Sequence, residues 1–278
     1  MGAATRISLD GKTLRGTIAF GESRGLHLLA AYLPGKGVAL FQVAVETKEN
    51  EITAAPKVLK LLDLQGKIVT GDAPFAQRAL SLLIVTAKGH YVWTVKDNQP
   101  QLRQDIEQLF QPEKCVSGFS PAPKDFRTAQ TINSGHGRIE KRTLTTSSLL
   151  NETCDWPGLG QVFKLERDIT VVGRQTKRQE VAYGITSLTA SQVGPSQLLN
   201  IVREQWDQEN GLYYRRDVTL KEDASRFTDW TVAEAMALLN NLELALLLRG
   251  GRDNAAQERR YYAVHPDEAL KRLITAPA

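Results

Sequence analysis

Apolar positions along the first hundred residues recur in two periods. Short β-branched or apolar runs at Arg6–Leu9, Leu26–Leu33 and Val38–Glu46, separated by glycine-containing breaks such as Pro34–Gly37, predict three strands in a meander. Helical spacing follows over Glu51–Leu62, then a strand at Lys67–Thr70, a helix at Phe75–Lys88, a strand at His90–Val95 and a helix near Gln101–Phe110. Three antiparallel strands followed by alternating helices and parallel strands is the order of an α/β fold with an RNase H-like mixed sheet flanked by helices.

From residue 111 to 187 the pattern shortens to strand-like pieces, Arg138–Thr145, Gln161–Thr170 and Gln179–Ile185, set among Pro, Gly and Ser. This predicts a β-rich insertion. Helical periodicity returns at Ser196, with Leu198, Val202, Trp206, Glu209 and Tyr213 on one stripe, and a second long helix fills Thr231–Arg249. The expected division is therefore a core in two parts, 1–110 and 188–278, around an insertion at 111–187. The most apolar stretch, Ala235–Leu248, is interrupted by Asn240, Asn241 and Glu243. It falls short of the ~20 apolar residues of a membrane span, which predicts a buried core helix.

Composition narrows the class. A chain of 278 residues with 42% hydrophobic and 24% charged positions supplies a globular core and excludes disordered and collagen-like chains. Cys115 and Cys154 are too few for a disulfide framework, and His27, His90, His136 and His265 offer no pair at zinc-finger spacing. The N-terminus lacks the apolar stretch of a signal peptide, so the expectation is a cytoplasmic protein without a membrane anchor. Between Lys124 and Arg178 ten basic residues face six acidic ones, a surplus equal to the +4 of the whole chain. That concentration fits either a polyanion-facing segment or a solvated face.

Three acids stand out by position. Asp10 is expected at the end of the first strand and Asp72 at the end of the fourth, strands that the expected sheet makes neighbours, so both carboxylates would project into one cleft. Glu209 interrupts an apolar stripe, where a charge is costly unless paired. Convergent carboxylates call for hard divalent cations, Mg²⁺ or Mn²⁺, and two such ions ~3.5–4 Å apart activate the attacking oxygen and stabilise the leaving oxygen of a phosphodiester. Each acid also has a plainer reading. An Asp after a strand serves as turn former or N-cap. Glu209 can pair with Arg216, and Asp217, Glu222 and Asp223 compete for the third place.

Seven motifs occur in order: Asp10-Gly-Lys-Thr-Leu-Arg-Gly, Thr47-Lys-Glu-Asn-Glu-Ile, Ile68-Val-Thr-Gly-Asp-Ala, Val95-Lys-Asp-Asn-Gln-Pro-Gln-Leu, Gly135-His-Gly-Arg-Ile-Glu-Lys-Arg, Trp156-Pro-Gly-Leu and Trp206-Asp-Gln-Glu-Asn. Together they resemble the DDE transposases of bacterial insertion sequences, of the ISAs-type group that includes the H-repeat-associated proteins, from about Ile7 to Arg249. The resemblance implies metal-dependent cleavage and strand transfer of DNA by an RNase H-like core whose Asp10, Asp72 and Glu209 hold the two ions. It also implies a homodimer assembled on DNA and a phosphate contact by Arg216, seven positions after Glu209. The chain departs from the family at Gln205, Gln208 and Asn210-Gly-Leu-Tyr-Tyr, where the family has His, Ile and Asn-x-Leu-His-Trp, and at Asp97, where it has Gly. It also starts almost on the first Asp strand, which the resemblance reads as a truncated or decayed copy.

Further contacts follow from position. Lys12, Arg15, Lys96, Asn98 and Gln99 flank the expected strand ends and are candidates for phosphate contact; His136 and Arg138 are candidates in the insertion. Trp156 can stack on an extruded base or plug the core. Two other classes remain: an RNase H-like metal-dependent nuclease, which would lack the family motifs, and a catalytically silent DNA-binding remnant, which would keep them.

Overall fold

The computed structural model describes residues 4–45, 50–111, 125–135, 137–173, 176–249 and 254–275, without the side chains of residues 35, 176 and 206–210. The chain forms a mixed α/β structure of two compact units, one comprising Met1–Thr5 and Asp63–Arg203, the other Arg6–Leu62 and Glu204–Ala278. The chain passes from one unit to the other after Thr5, after Leu62 and, inside a helix, after Arg203.

The Arg6–Leu62 and Glu204–Ala278 unit holds the meander: β1 (Arg6–Thr13), β2 (His27–Leu33) and β3 (Val38–Val45), antiparallel throughout, with Asp10 opposite Ala30 and Ala30 opposite Gln42. β1 is longer than expected, which moves Asp10 from the strand end to its middle. Gly11-Lys-Thr reads as a break in sequence, but Gly11 lies under the His27–Glu51 pair, where a side chain would collide with both, so glycine here keeps a crowded strand position open. Helix α1 (Glu51–Leu59) starts on a capping box in which the Asn50 side chain accepts from Thr53 N and the Thr53 hydroxyl accepts from Asn50 N, both at 3.1 Å, and packs on β2 and β3.

The other unit carries a mixed sheet. β4 (Ile68–Gly71) runs parallel to β5 (His90–Val95), and β5 pairs antiparallel with β9 (Thr176–Thr186), which continues through β8 (Gln161–Val171) and β7 (Arg138–Ser147) to β6 (Arg127–Gly135). The β-rich stretch is thus a four-stranded meander hydrogen-bonded to the strand after Asp72. Helix α2 (Arg78–Thr86) packs on β5, and α3 (Pro100–Phe110) on β8 and β9. Trp93, fully buried, and Trp156, 7% exposed, both donate their indole N–H to Ser81 Oγ, at 3.0 and 3.1 Å.

Helix α4 (Pro195–Gln208) runs on into π-helical segments at Glu209–Tyr213 and Arg215–Thr219, followed by α5 (Trp230–Leu248), α6 (Ala255–Val264) and α7 (Pro266–Ile274). α5 corrects the expectation of a buried core helix. Ala233, Ala237, Asn241, Leu244 and Leu247 form one buried stripe, while Val232, Leu238, Leu239 and Leu242 are about half exposed. It is also the one helix among the described residues long and apolar enough, by length and composition, to cross a membrane.

Candidate active site

The acid-bearing face of β1 is built by alternation. Ile7 and Leu9 point to the apolar core, so Ser8, Asp10 and Lys12 share the opposite face. Each end of that row is fastened to the Glu204–Asp217 stretch. Arg6 pairs with Glu204; Ser8 Oγ donates to Gln205 Oε1 at 2.6 Å and Gln205 Nε2 to Leu9 O at 3.4 Å; Tyr213 OH donates to Asp10 O at 2.9 Å; Lys12 pairs with Asp217. The order is collinear. The backbone at Glu209 therefore lies alongside Leu9 and Asp10, although its side chain is outside the described residues.

Asp10 is half-buried, and its Oδ1 accepts the N–H of Gly11 at 2.9 Å. Asp72, in the other unit, is exposed directly after β4 and precedes a 3-10 turn at Ala73–Phe75. Asp72 is the N-cap residue of that turn, its carbonyl accepting from Phe75 N at 3.0 Å, but its side chain makes no capping bond and the carboxylate is open to solvent. The turn behind it is braced by the loop after β5: Asn98 Nδ2 donates to Ala73 O at 2.6 Å and Gln99 Nε2 to Ala76 O at 3.0 Å. Those bonds to backbone carbonyls give Asn98 and Gln99 a bracing role at the turn. Lys96 next to them is exposed.

The expectation for Arg216 is overturned. Its side chain is fully buried, with Nε and Nη2 on Glu222 at 2.8–3.0 Å and Nη1 on Gln42 and Asn241 at 2.9 and 3.3 Å. The physical reason is the widened helix. Each π turn takes in an extra residue, so a position seven after Glu209 no longer shares its face. Lys12 is likewise sunk, 8% exposed, among Asp217, Asp223 at 3.4 Å and Glu222 at 3.8 Å. The three competing acids, Asp217, Glu222 and Asp223, are therefore committed to Lys12 and Arg216. Arg15 keeps an 81% exposed side chain, with Asp223 at 3.8 Å.

Trp156 is the core plug and not a stacking platform: it is buried, hydrogen-bonded to Ser81 and covered by the Arg78 guanidinium at 5.9 Å. Arg138 is exposed at the start of β7, opposite Gly135 and Val171; His136 lies outside the described residues, as do Cys115 and the motif positions 47–49. Among the described residues no group of three His, Cys, Asp or Glu gathers as a metal site, the Glu209 side chain not being one of them.

A sequence reading centred on acids and bases missed Gln205, Tyr213 and Ser8. The signal was present, since Gln205 and Tyr213 sit four residues either side of Glu209 on the same stripe.

The strands, the acids and the motif order define a DDE-domain chain. The sequence matches the family described as Transposase DDE domain over residues 2–246, and the chain belongs to that family. It is 33% identical over 249 residues to "Putative transposase YncI" of Escherichia coli O157:H7, an alignment covering 87% of this chain and 61% of that protein. It is 30% identical over 275 residues both to "H repeat-associated putative transposase YhhI" and to "Putative protein YbfL" of Escherichia coli K12, covering 92% of this chain and 70% of each. The chain thus spans about three-fifths of YncI and seven-tenths of the other two.

Proposed function

We propose that the chain cleaves and joins DNA strands as the transposase of a bacterial insertion sequence, with an RNase H-like core in which Asp10, Asp72 and Glu209 hold two Mg²⁺ or Mn²⁺ ions. The observation that supports this reading is the collinear lacing of Glu204–Asp217 along β1, whose bonds bracket Glu209 on either side and end at Ser8 and Asp10, in a chain of this family. The donor set fits the ions: carboxylate oxygens are hard ligands, and the exposed Asp72 carboxylate takes no partner among the described residues that would compete. Bound there, the ions would activate water or a 3′-hydroxyl and stabilise the leaving oxygen.

The chain's own residues do the holding. Asn98 and Gln99 fix the turn behind Asp72, and Tyr213 ties the helix to the Asp10 carbonyl. DNA would enter as a phosphate polyanion, met by exposed cations such as Arg15, Lys96 and Arg138. Assembly as a homodimer on DNA and a cytoplasmic location belong to the same reading.

Strand cleavage of an end-containing duplex with Mg²⁺ is the test. Asp72→Asn and Glu209→Gln should each lose far more than the roughly 10–100-fold that removal of an outer partner of a metal ligand costs, while DNA binding persists. Undiminished cleavage in Asp72→Asn would sink the triad. Binding without any cleavage by the parent chain would favour the silent remnant.

A further inference from the structure

We propose that Gln205 and Tyr213 are positioning residues that clamp the Glu209 turn onto the Asp10 strand; the proposal rests on the triad reading above. Residues four apart on a helix share a face, and these two bracket Glu209 at that spacing on either side, the first interval in α4 and the second in the π-helical turn. Both reach the same short piece of β1. Gln205 uses its whole amide, accepting from Ser8 Oγ at 2.6 Å and donating to Leu9 O at 3.4 Å, and Tyr213 donates to Asp10 O at 2.9 Å. The bonds thus end on the residue carrying one acid and on its two predecessors, and start one turn before and one turn after the residue carrying another.

The surroundings leave little slack. Tyr213 is buried with Tyr32 and Leu212 in one apolar cluster, and the Lys12 ammonium lies 5.8 Å from its ring centre. A side chain at Gly211 would meet the Tyr32 hydroxyl at 2.9 Å, so the turn after Glu209 is seated directly on β2 as well. A π-helical turn is less regular than an α-turn, and single π turns recur at functional sites. Here it needs external fastening to hold one carboxylate-bearing residue in place, and the two hydrogen-bonding side chains supply it. Both positions depart from the pattern of the family that the sequence resembles, which has His at each.

The test is a Mn²⁺ titration of the whole chain followed by electron paramagnetic resonance of free Mn²⁺, alongside duplex binding and thermal unfolding. Tyr213→Phe keeps the ring and removes only the hydroxyl; Gln205→Met keeps length and removes the amide; Ser8→Ala removes the partner of Gln205 without touching the helix. Tyr213→Phe and Gln205→Met should weaken Mn²⁺ binding by about 10-fold or more, Ser8→Ala in the same direction, with duplex affinity unchanged. A lowered unfolding midpoint with Mn²⁺ affinity within about twofold of the parent would reduce both residues to structural ones and overturn the clamp, leaving the triad intact if Asp10→Asn still loses the ion. Parental Mn²⁺ affinity in Asp10→Asn and Glu209→Gln would overturn the triad, and the clamp with it.

Discussion

The two units of the chain treat basic residues in opposite ways. Behind β1, Lys12 and Arg216 are buried among Asp217, Glu222 and Asp223, with Gln42 and Asn241 completing the guanidinium's bonds. Cations there are outnumbered and enclosed. On β7 to β9 the ladder puts Arg138, Glu140 and Arg142 on one face, with Arg167 opposite Arg142, and Glu180 opposite Arg167. Glu140 holds Arg142 at 2.6 Å and Arg167 at 2.8 Å, and Glu180 holds Arg167 at 2.8 Å and Arg178 at 2.7 Å. Cations there outnumber acids, and the outermost reach solvent, Arg178 at 73% exposure, while Arg142 at 11% stays largely covered. Arg142 registers the excess: its burial first, then Arg203, Arg167 and Arg138, lower its affinity for the proton against the opposing pull of Glu140. The lesson is that adjacency to an acid motif does not by itself make a phosphate contact: Lys12 and Arg216 are enclosed, whereas Arg15 and Lys96 are exposed.

The sharpest break of this comparison is Arg216→Ala. Removing one partner of a buried charge pair leaves Glu222 with only the more distant Lys12 ammonium at 3.8 Å and the Asn240 amide, so unfolding in urea should show a loss of about 3–5 kcal/mol. The salt dependence of duplex binding should stay as in the parent. A shallower salt slope at parental stability would return Arg216 to the DNA.

How much of this was legible follows from what each element shows to a linear reading. β2, β3 and β5 have unbroken apolar or alternating runs and stand within about a residue of expectation, β5 at its stated bounds. β6 was missed because Arg127–Gly135 alternates only between half-exposed and exposed positions, with no buried residue to give it a period. The expected helix over Thr231–Arg249 is there, but an apolar residue on its open face looks the same in sequence as one on its buried stripe. Asp72 and the Glu209 stripe could be read from local pattern, with Leu198, Val202 and Tyr213 of that stripe buried. Arg216 could not, because a π turn shifts register without any residue announcing it. Lys12 could not either, since its three acids lie some two hundred residues on.

Glu140 sharpens the other half of the comparison. It is the acid shared by Arg142 and Arg167, which would otherwise face one another across the ladder. Glu140→Gln should cost about 1.5–3 kcal/mol, since hydrogen bonds to charged groups fall in that range, and the loss should shrink in salt. The same change should raise duplex affinity, as the face gains a net positive charge. Equal loss at low and high salt would mean that Glu140 acts through packing alone.

A smaller effect tests the meander's own acid. Burial pushes the Asp125 carboxyl upward, but bonds from Ser147 Oγ at 2.5 Å and Ser148 N at 2.7 Å, the Ser148 hydroxyl and the nearby Arg127 outweigh it, and its proton affinity ends below the usual range. A carboxyl lowered in the folded state stabilises the fold above its unfolded value of ~3.9 and loses that contribution as pH falls through the folded value. Ser148→Ala should therefore lower stability at neutral pH and flatten its decline below about pH 4. An acid limb as steep as the parent's would remove Asp125 from that account.

The smallest effect belongs to Arg138, exposed on the same face as Arg142 and expected to meet phosphate. Each phosphate neutralised by a side chain contributes about 0.9 to the slope of log affinity against log salt on duplex DNA. Arg138→Ala should flatten that slope by about one unit, equally for an end-containing and a scrambled duplex, because a phosphate contact carries no sequence information. Arg178→Ala, on the same face of β9 two strands away, should do likewise, whereas Lys141→Ala, which alternation places on the opposite face of β7, should not. The pairing matters more than either value. If Lys141 flattens the slope and Arg138 does not, DNA lies on the other face of the ladder, and the arginine excess serves to bind Glu140 and Glu180 instead of phosphate.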